Sequence, residues 1–399
     1  MKQIKLLLIS LMFIPFAASA QVKINETNFP DETFRNYLLG QSYGKDGVLT
    51  EEEIRGIIYI DVPSRKIRSL KGIEYFTSLI TLYCYKNQLA SLDLSKNTAL
   101  SALNCSDNQL TSLDLSHNTS LTSLDCSRNQ LTSLNVSNSA VLTSLACDFN
   151  ALTSLDVSKN TALTDLYCHS NALTSLDVSK NTALTDLDCH SNALTSLDVS
   201  KNTALKSLSC RNNALTSLDV SNNAALTSLT CPGNALTSLD VSKNTALAFL
   251  YCYNNALTSL DVSKNTALTS LSCSDNQLTS LDVSKNTALT SLSCGNNKLT
   301  SLDVSSLDVS NNISLIFLWC SSNQITGEDM DNLISSLPQN KTTEEYAMHV
   351  YKDTESTEGN VCTKTQVAAI KAKGWTPRYY NGSAWVEYEG CEDGPSNNM

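Results

Sequence analysis

The residues with the most chemistry to offer are fourteen cysteines and four histidines. Eleven of the cysteines, from Cys84 to Cys294, recur every 21 residues, and Cys320 follows after 26. Thiols can cross-link, bind soft metals or act as nucleophiles. A column of identical residues in register on parallel strands does none of these. Its Cβ atoms lie about 4.8 Å apart, beyond the roughly 3.5–4.5 Å that a disulfide spans, and four sulfurs in a line cannot surround zinc tetrahedrally. The ladder therefore reads as small buried hydrophobes with inert thiols. Cys362 and Cys391 stand outside it and are a candidate disulfide, with a reduced pair as the alternative.

His169 and His190 are also 21 residues apart, which puts them on neighbouring strands with Asp165, Asp186 and Asp188 close by. Such a set can ligate a transition metal at the surface; ordinary surface polarity is the plainer reading. A weaker calcium candidate is the loop Ser42–Glu53, where Asp46, Gly47 and Glu53 match EF-hand positions five, six and twelve. Ser42 and Gly44 stand where two further carboxylates are wanted, so the alternative is a helical cap in which Glu53 only caps or is solvated. No phosphate loop, HExxH or Ser/His/Asp set occurs outside the repeats. The paired acids are repeat-column residues with no pocket to shift them, so the sequence argues for no enzyme and calls for no cofactor.

What positions these residues is a repeat running from Leu79 to about Ile325. Its clearest copy is Leu268–Ala288, with two halves, Leu268-x-x-Leu271-x-Cys273-x-x-Asn276 and Leu278-x-x-Leu281-x-Val283-x-x-Asn286, each an apolar run closed by asparagine. A fixed period of this length with a Leu/Asn pattern is the signature of a leucine-rich-repeat solenoid, here of about twelve coils. Leu271 and Cys273 alternate with polar residues at the period of a strand. The Val half alternates in the same way, so the expected fold is a mainly β solenoid with parallel sheets on both faces. The asparagines Asn87, Asn108 and onward to Asn323 should bond the turn backbone of their own coil and the next. A duplicated SLDVS phrase at 301–310 explains the long Cys294–Cys320 spacing and predicts a bulged loop.

The flanks differ in texture. Lys2 and Lys5, the apolar run Leu6–Phe16 and Ala18-Ser19-Ala20 form a secretory leader over 1–20, too short for a membrane span. No later stretch is apolar enough to insert, so the expected product is exported, secreted or at the cell surface, with the periplasm as the alternative. Loss of Lys2 and Lys5 leaves 26 basic against 39 acidic residues, a net charge of −13. That disfavours nucleic acid and anionic membranes as partners. Residues 21–78 read as an N-terminal cap, with a helix over Pro30–Leu39, a second from Thr50 and a degenerate coil at Ile57-x-x-Ile60-x-Val62. Residues 327–399 read as a C-terminal α/β unit whose hairpin aromatics, Tyr379, Tyr380, Trp385 and Tyr388, cover the open end or bind a ligand.

Comparison of the coils with one another separates two faces. On the Val half, Asp156 and its equivalents through Asp303, and Lys159 with its equivalents, barely change, which reads as a solvated, salt-bridged surface. On the Cys half the outward columns vary, and Phe149 adds to the variation. Three patches carry the residue types of an interface hot spot: Tyr83 with Tyr85; Tyr167, His169, Asp188, His190 and Arg211; and Phe249, Tyr251 and Tyr253. Trp319 stands in the same column. Drift on an unselected surface would give similar scatter.

The phrase Leu-x-x-Leu-x-Cys-x-x-Asn-x-Leu at a 21-residue period, with cysteine in place of leucine, resembles the internalin J-like family of leucine-rich-repeat proteins secreted by bacteria. Asn28-Phe29-Pro30-Asp31 through Asp46-Gly47-Val48-Leu49-Thr50 is similar to the cap of such proteins. The resemblance implies a non-enzymatic surface protein that binds a protein on a host or neighbouring cell. No cell-wall sorting motif or adhesive repeat follows the solenoid, a departure from that family. A glycan-binding module and a structural cell-surface component are the other readings.

Overall fold

The computed structural model describes residues 21–299, 309–340, 345–352 and 358–393. The expected leader and nearly all of the duplicated SLDVS phrase, with the bulged loop expected there, lie outside the described residues. In chain order the elements begin with β1 (Val22–Lys23), α1 (Glu32–Gly40), β2 (Val48–Leu49), α2 (Glu51–Gly56) and β3 (Tyr59–Asp61). The coils then contribute β4 (Thr81–Tyr83), β5 (Ala102–Asn104), β6 (Ser123–Asp125), β7 (Ser144–Ala146), β8 (Asp165–Tyr167) and β9 (Asp186–Asp188). They continue with β10 (Ser207–Ser209), β11 (Ser228–Thr230), β12 (Phe249–Tyr251), β13 (Ser270–Ser272), β14 (Ser291–Ser293) and β15 (Phe317–Trp319). The chain closes with α3 (Glu328–Ser336), β16 (Tyr346–Lys352), α4 (Lys364–Ala372), β17 (Trp375–Tyr380) and β18 (Trp385–Glu387).

One 16-stranded sheet runs from β3 to β18 in chain order. Its pairings are parallel except between β17 and β18. Each coil strand is three residues long with the central leucine buried, and the period sets the register, so Leu271 lies between Leu250 and Leu292. In this coil Leu268, Leu271, Cys273, Leu278, Leu281 and Val283 all point inward. No coil could bury that face alone; its neighbours cover it.

The expected second sheet is not formed. Among the described residues the only other sheet is the antiparallel pair β1–β2. Two competing bonds account for the difference. The outward Asp282 carboxylate accepts from the Ser284 backbone N–H at 2.8 Å, turning the chain two residues after the extended run. The Val283 carbonyl is taken by Asn286 N–H at 2.9 Å and by Asn312 Nδ2 of the next coil at 3.1 Å. Coils on this side are thus joined by amide side chains in place of a strand ladder.

The Cys-side asparagines form the predicted ladder, but they reach backward. Asn276 Nδ2 donates to Cys273 O and Ser274 O of its own coil and to Cys252 O of the preceding one, all at 3.0–3.1 Å, while its Oδ1 accepts from Leu257 N–H. The Val-side asparagines also bond backward, Asn286 donating to Val262 O and Asn265 O, yet their buried Oδ1 atoms have no protein partner.

The helices at the N-terminal end are tied to the first coil and to their own caps. Asp31 caps α1 by accepting from Phe34 N–H and also accepts from Arg68 and Ser69 N–H, tying the cap to the first coil. Phe29, Phe34, Phe76 and Tyr75 form the apolar contact beneath it. Thr50 and Glu53 make a reciprocal capping box at α2. The C-terminal unit is less separate than its composition implies, because β16 adds directly to β15 and Asn360 repeats the ladder, donating to Cys320 O and Val350 O.

Candidate interaction surface

The side of the solenoid carrying β3 to β15 presents the variable columns. Parallel register stacks the residue after each cysteine onto its equivalent one coil away. In every regular coil the next residue has positive φ, from Lys86 at 54° through Arg128 at 53° and Phe149 at 50° to Asn296 at 51°. Gly233 serves the same corner at 65°. Asn, Asp and Gly adopt this conformation at least cost; Phe149 is an exposed aromatic residue held there against its preference.

Around the middle coils these columns make one continuous strip. The Arg128 guanidinium lies 4.0 Å above the Phe149 ring, which meets His169 edge-on at 5.1 Å. His169 stacks on His190 with centroids 4.1 Å apart and planes 12° from parallel. His190 Nδ1 lies 2.5 Å from Asp188 Oδ1, and Arg211 Nη2 lies 3.1 Å from His190 Nε2. The guanidinium can only donate, so His190 Nε2 accepts and Nδ1 carries the proton given to Asp188. Asp188 and His190 share the arrangement of an acid–base pair, but the nitrogen that would take a proton is engaged by Arg211.

Asp148 extends the strip, with Oδ2 3.6 Å from His169 Nε2. Burial pushes the Asp148 carboxyl up and pulls the His169 imidazole down, against the attraction each has for the other's charged form. Tyr167, at the exposed edge, has its phenol raised by burial and by Asp165, Asp186 and Asp188.

The predicted patches are only partly assembled. His190 was expected to be exposed and is buried, at 8% exposure, because His169 covers one face and Asp188 and Arg211 hold its edge. Tyr83 pairs edge-to-face with Tyr59 of β3, whose signal in the sequence was only its place in the degenerate first coil. Phe249 and Tyr253 stand exposed and Tyr251 half-buried. Trp319 is not free: its Nε1 donates to Ser321 Oγ at 2.6 Å, it covers Gly295, and Trp385 meets it edge-on at 6.0 Å. The hairpin aromatics thus pack over β15 and β16, with Trp385 stacked on His349 at 4.0 Å and Tyr388 on Tyr351 at 5.4 Å.

The remaining candidates fall outside the strip. Glu53 is held by its capping box and Asp46 accepts from Val48 N–H, so both carboxylates of the calcium candidate have structural partners. Cys362 and Cys391 are adjacent, Cys391 N–H donating to Cys362 O at 3.1 Å, and both are free thiols here. The ladder thiols are all buried, and burial raises each well above the ordinary cysteine range. On the uniform face the lysines make none of the ion pairs found among the described residues. The aspartates there are lowered chiefly by Ser N–H and hydroxyl groups, with the lysines a minor influence, which corrects the expectation of a salt-bridged surface.

A parallel solenoid with a leucine core, an asparagine ladder and a cysteine ladder defines a leucine-rich-repeat protein, and the repeat pattern of that family matches residues 266–308 as two copies. The functional domain of InlJ from Listeria monocytogenes, described as including a cysteine ladder, is 31% identical, with 85% of this chain and 84% of that chain covered and a TM-score of 0.56. The chain therefore belongs to the internalin J-like leucine-rich-repeat proteins. An internalin from Listeria monocytogenes strain 4b F2365, at 24% identity over 82% of this chain and all of that chain, shares the fold with a TM-score of 0.71. So does a leucine-rich-repeat protein of Leptospira interrogans, at 22% identity, 83% and 85% coverage and a TM-score of 0.65. No curated protein sequence matches the chain. A protein-interaction module is the functional class that this family assignment supports, and no helix among the described residues is long and apolar enough to cross a membrane.

Proposed function

We propose that the chain is an exported adhesion or adaptor protein that binds a protein partner on another cell through the Cys-side face. One observation carries the reading. The aromatic residues exposed among the described residues, Tyr59, Phe149, Tyr167, Phe249 and Tyr253, all lie on or beside the Cys-side strands. Rigid aromatic and arginine side chains on a flat, preorganised sheet are what interface hot spots are made of, and the uniform face offers none.

The leader over residues 1–20 and the acidic balance support a role outside the cell, and the same acidity disfavours nucleic acid. Binding of Gln21–Met399 to arrayed surface proteins and glycans tests the reading. Changing Phe149, Tyr167 and Tyr253 together to Ser should weaken capture of a protein by about a hundredfold or more, since hot-spot residues contribute about 2 kcal/mol or more each. Changing Lys180, Lys201 and Lys243 to Ser on the other face should leave it unchanged. Equal binding by both variants, or capture that free sugars abolish, would overturn the protein-binding reading.

A further inference from the structure

The central strip also holds three side chains arranged as ligands. His169, Asp188 and His190 each offer a donor atom within 4.8 Å of the other two, the one such group of three found among the described residues. Strand register brings them together: Tyr167 pairs with Asp188, so the two imidazoles that follow on adjacent coils stack directly. We infer that His169, Asp188 and His190 form a binding site for a divalent transition-metal ion of the zinc or nickel type.

The donor set favours that class. Two imidazoles and one carboxylate suit zinc, nickel or copper, whereas calcium and magnesium take oxygen ligands. Bonds of about 2.0–2.2 Å to a common ion require donors roughly 3.3 Å apart. Rotation of the side chains closes that gap, since the backbone positions are already in register on a rigid sheet. Asp148, 3.6 Å from His169 Nε2, is placed to orient that ring from behind, as carboxylates do for metal-bound histidine. Three protein ligands would leave a tetrahedral ion one position for water.

Arg211 gives the inference a specific consequence. Its guanidinium donates to His190 Nε2, and that bond cannot coexist with a bound metal. If His190 ligates through Nε2, the ion takes the place of the arginine. If it ligates through Nδ1, then Nε2 carries the proton and can no longer accept. Arg211 and the metal therefore compete for one imidazole, and removing the arginine should favour the ion.

Titration calorimetry on chelator-treated full chain with Zn2+, Ni2+, Ca2+ and Mg2+ tests this without any protein partner, so its outcome is separate from that of the proposed protein-binding role. One ion of zinc or nickel should bind per chain, and neither calcium nor magnesium. The double change His169→Gln and His190→Gln should abolish binding with the coil intact by circular dichroism, and Asp188→Asn should weaken it by about tenfold or more. Arg211→Gln should tighten it by about tenfold. Co2+ should give a nitrogen/oxygen spectrum with no thiolate band. Zinc binding that survives the double histidine change, a thiolate spectrum, or an Arg211→Gln variant that binds more weakly would each overturn the assignment, as would absence of binding at micromolar ion.

Discussion

The two sides of each coil carry the same kind of sequence phrase and do opposite things with it. On the Cys side the backbone enters a continuous ladder, and the outward side chains differ from coil to coil, with only Asn104, Asp125 and Asp188 accepting from the backbone N–H two residues on. On the Val side no ladder forms among the described residues, and the outward residue turns the chain. Asp156, Asp177, Asp198, Asp219, Asp240, Asp261 and Asp282 each accept from the backbone N–H two residues on, and Asn135 does so where aspartate is replaced. Uniformity of the Val-side column thus goes with a backbone bond made in coil after coil, whereas on the Cys side the same bond occurs only where Asn or Asp happens to stand. The asparagines differ in parallel: those on the Cys side use both ends of the amide, those on the Val side only the nitrogen.

The sharpest way to break this comparison lies within one coil. Asn276→Ser removes three donated bonds and one accepted bond, and should cost about 3 kcal/mol in denaturant unfolding. Asn286→Ser removes two donated bonds and relieves an unpaired buried oxygen, and Ser139 already fills an equivalent site by donating to Asn118 O, so about 1 kcal/mol is expected. Equal costs, or the reverse order, would end the distinction between the two ladders.

A smaller effect is expected where the variable face runs onto the C-terminal unit. Burial, and secondarily the Arg378 guanidinium, pulls the His349 imidazole down to about 4, with Glu345 opposing. Unfolded histidine titrates near 6.5, so the unfolded chain takes up the proton first. Stability should be full above about pH 6.5 and fall as the pH drops toward 4, and His349→Phe should flatten that part of a Tm–pH profile. The smallest change concerns the uniform column. Asp282→Ala should lower Tm slightly by freeing the Ser284 N–H, whereas Asp282→Asn should leave it unaltered, as Asn135 indicates.

Much of the molecule was legible because a solenoid repeats one set of local rules. The 21-residue period, inward leucines and cysteines, the capped helices α1 and α2 and the inert thiols all follow from residue type and spacing. The second sheet was misread because alternation reports which side chains face inward, and says nothing about whether a neighbouring carbonyl is already taken by an asparagine. The sheet of the C-terminal unit was harder still, since Asn360 and β16 continue the solenoid at a spacing that departs from the period.

The candidate surface divides in the same way. Its proposed place on the Cys side rests on variation between coils, and His169, Asp188, His190 and Arg211 were readable as neighbours. Their roles depended on lateral contacts. Arg128 caps Phe149 from the preceding coil, His190 is buried by a ring 21 positions earlier, and Trp319 is covered by Trp385 from the far hairpin. Periodicity along the chain specifies the backbone of each coil and the direction in which a side chain leaves it. Which side chains then stack, pair or remain exposed is settled between coils, by distances across the sheet that no single repeat contains.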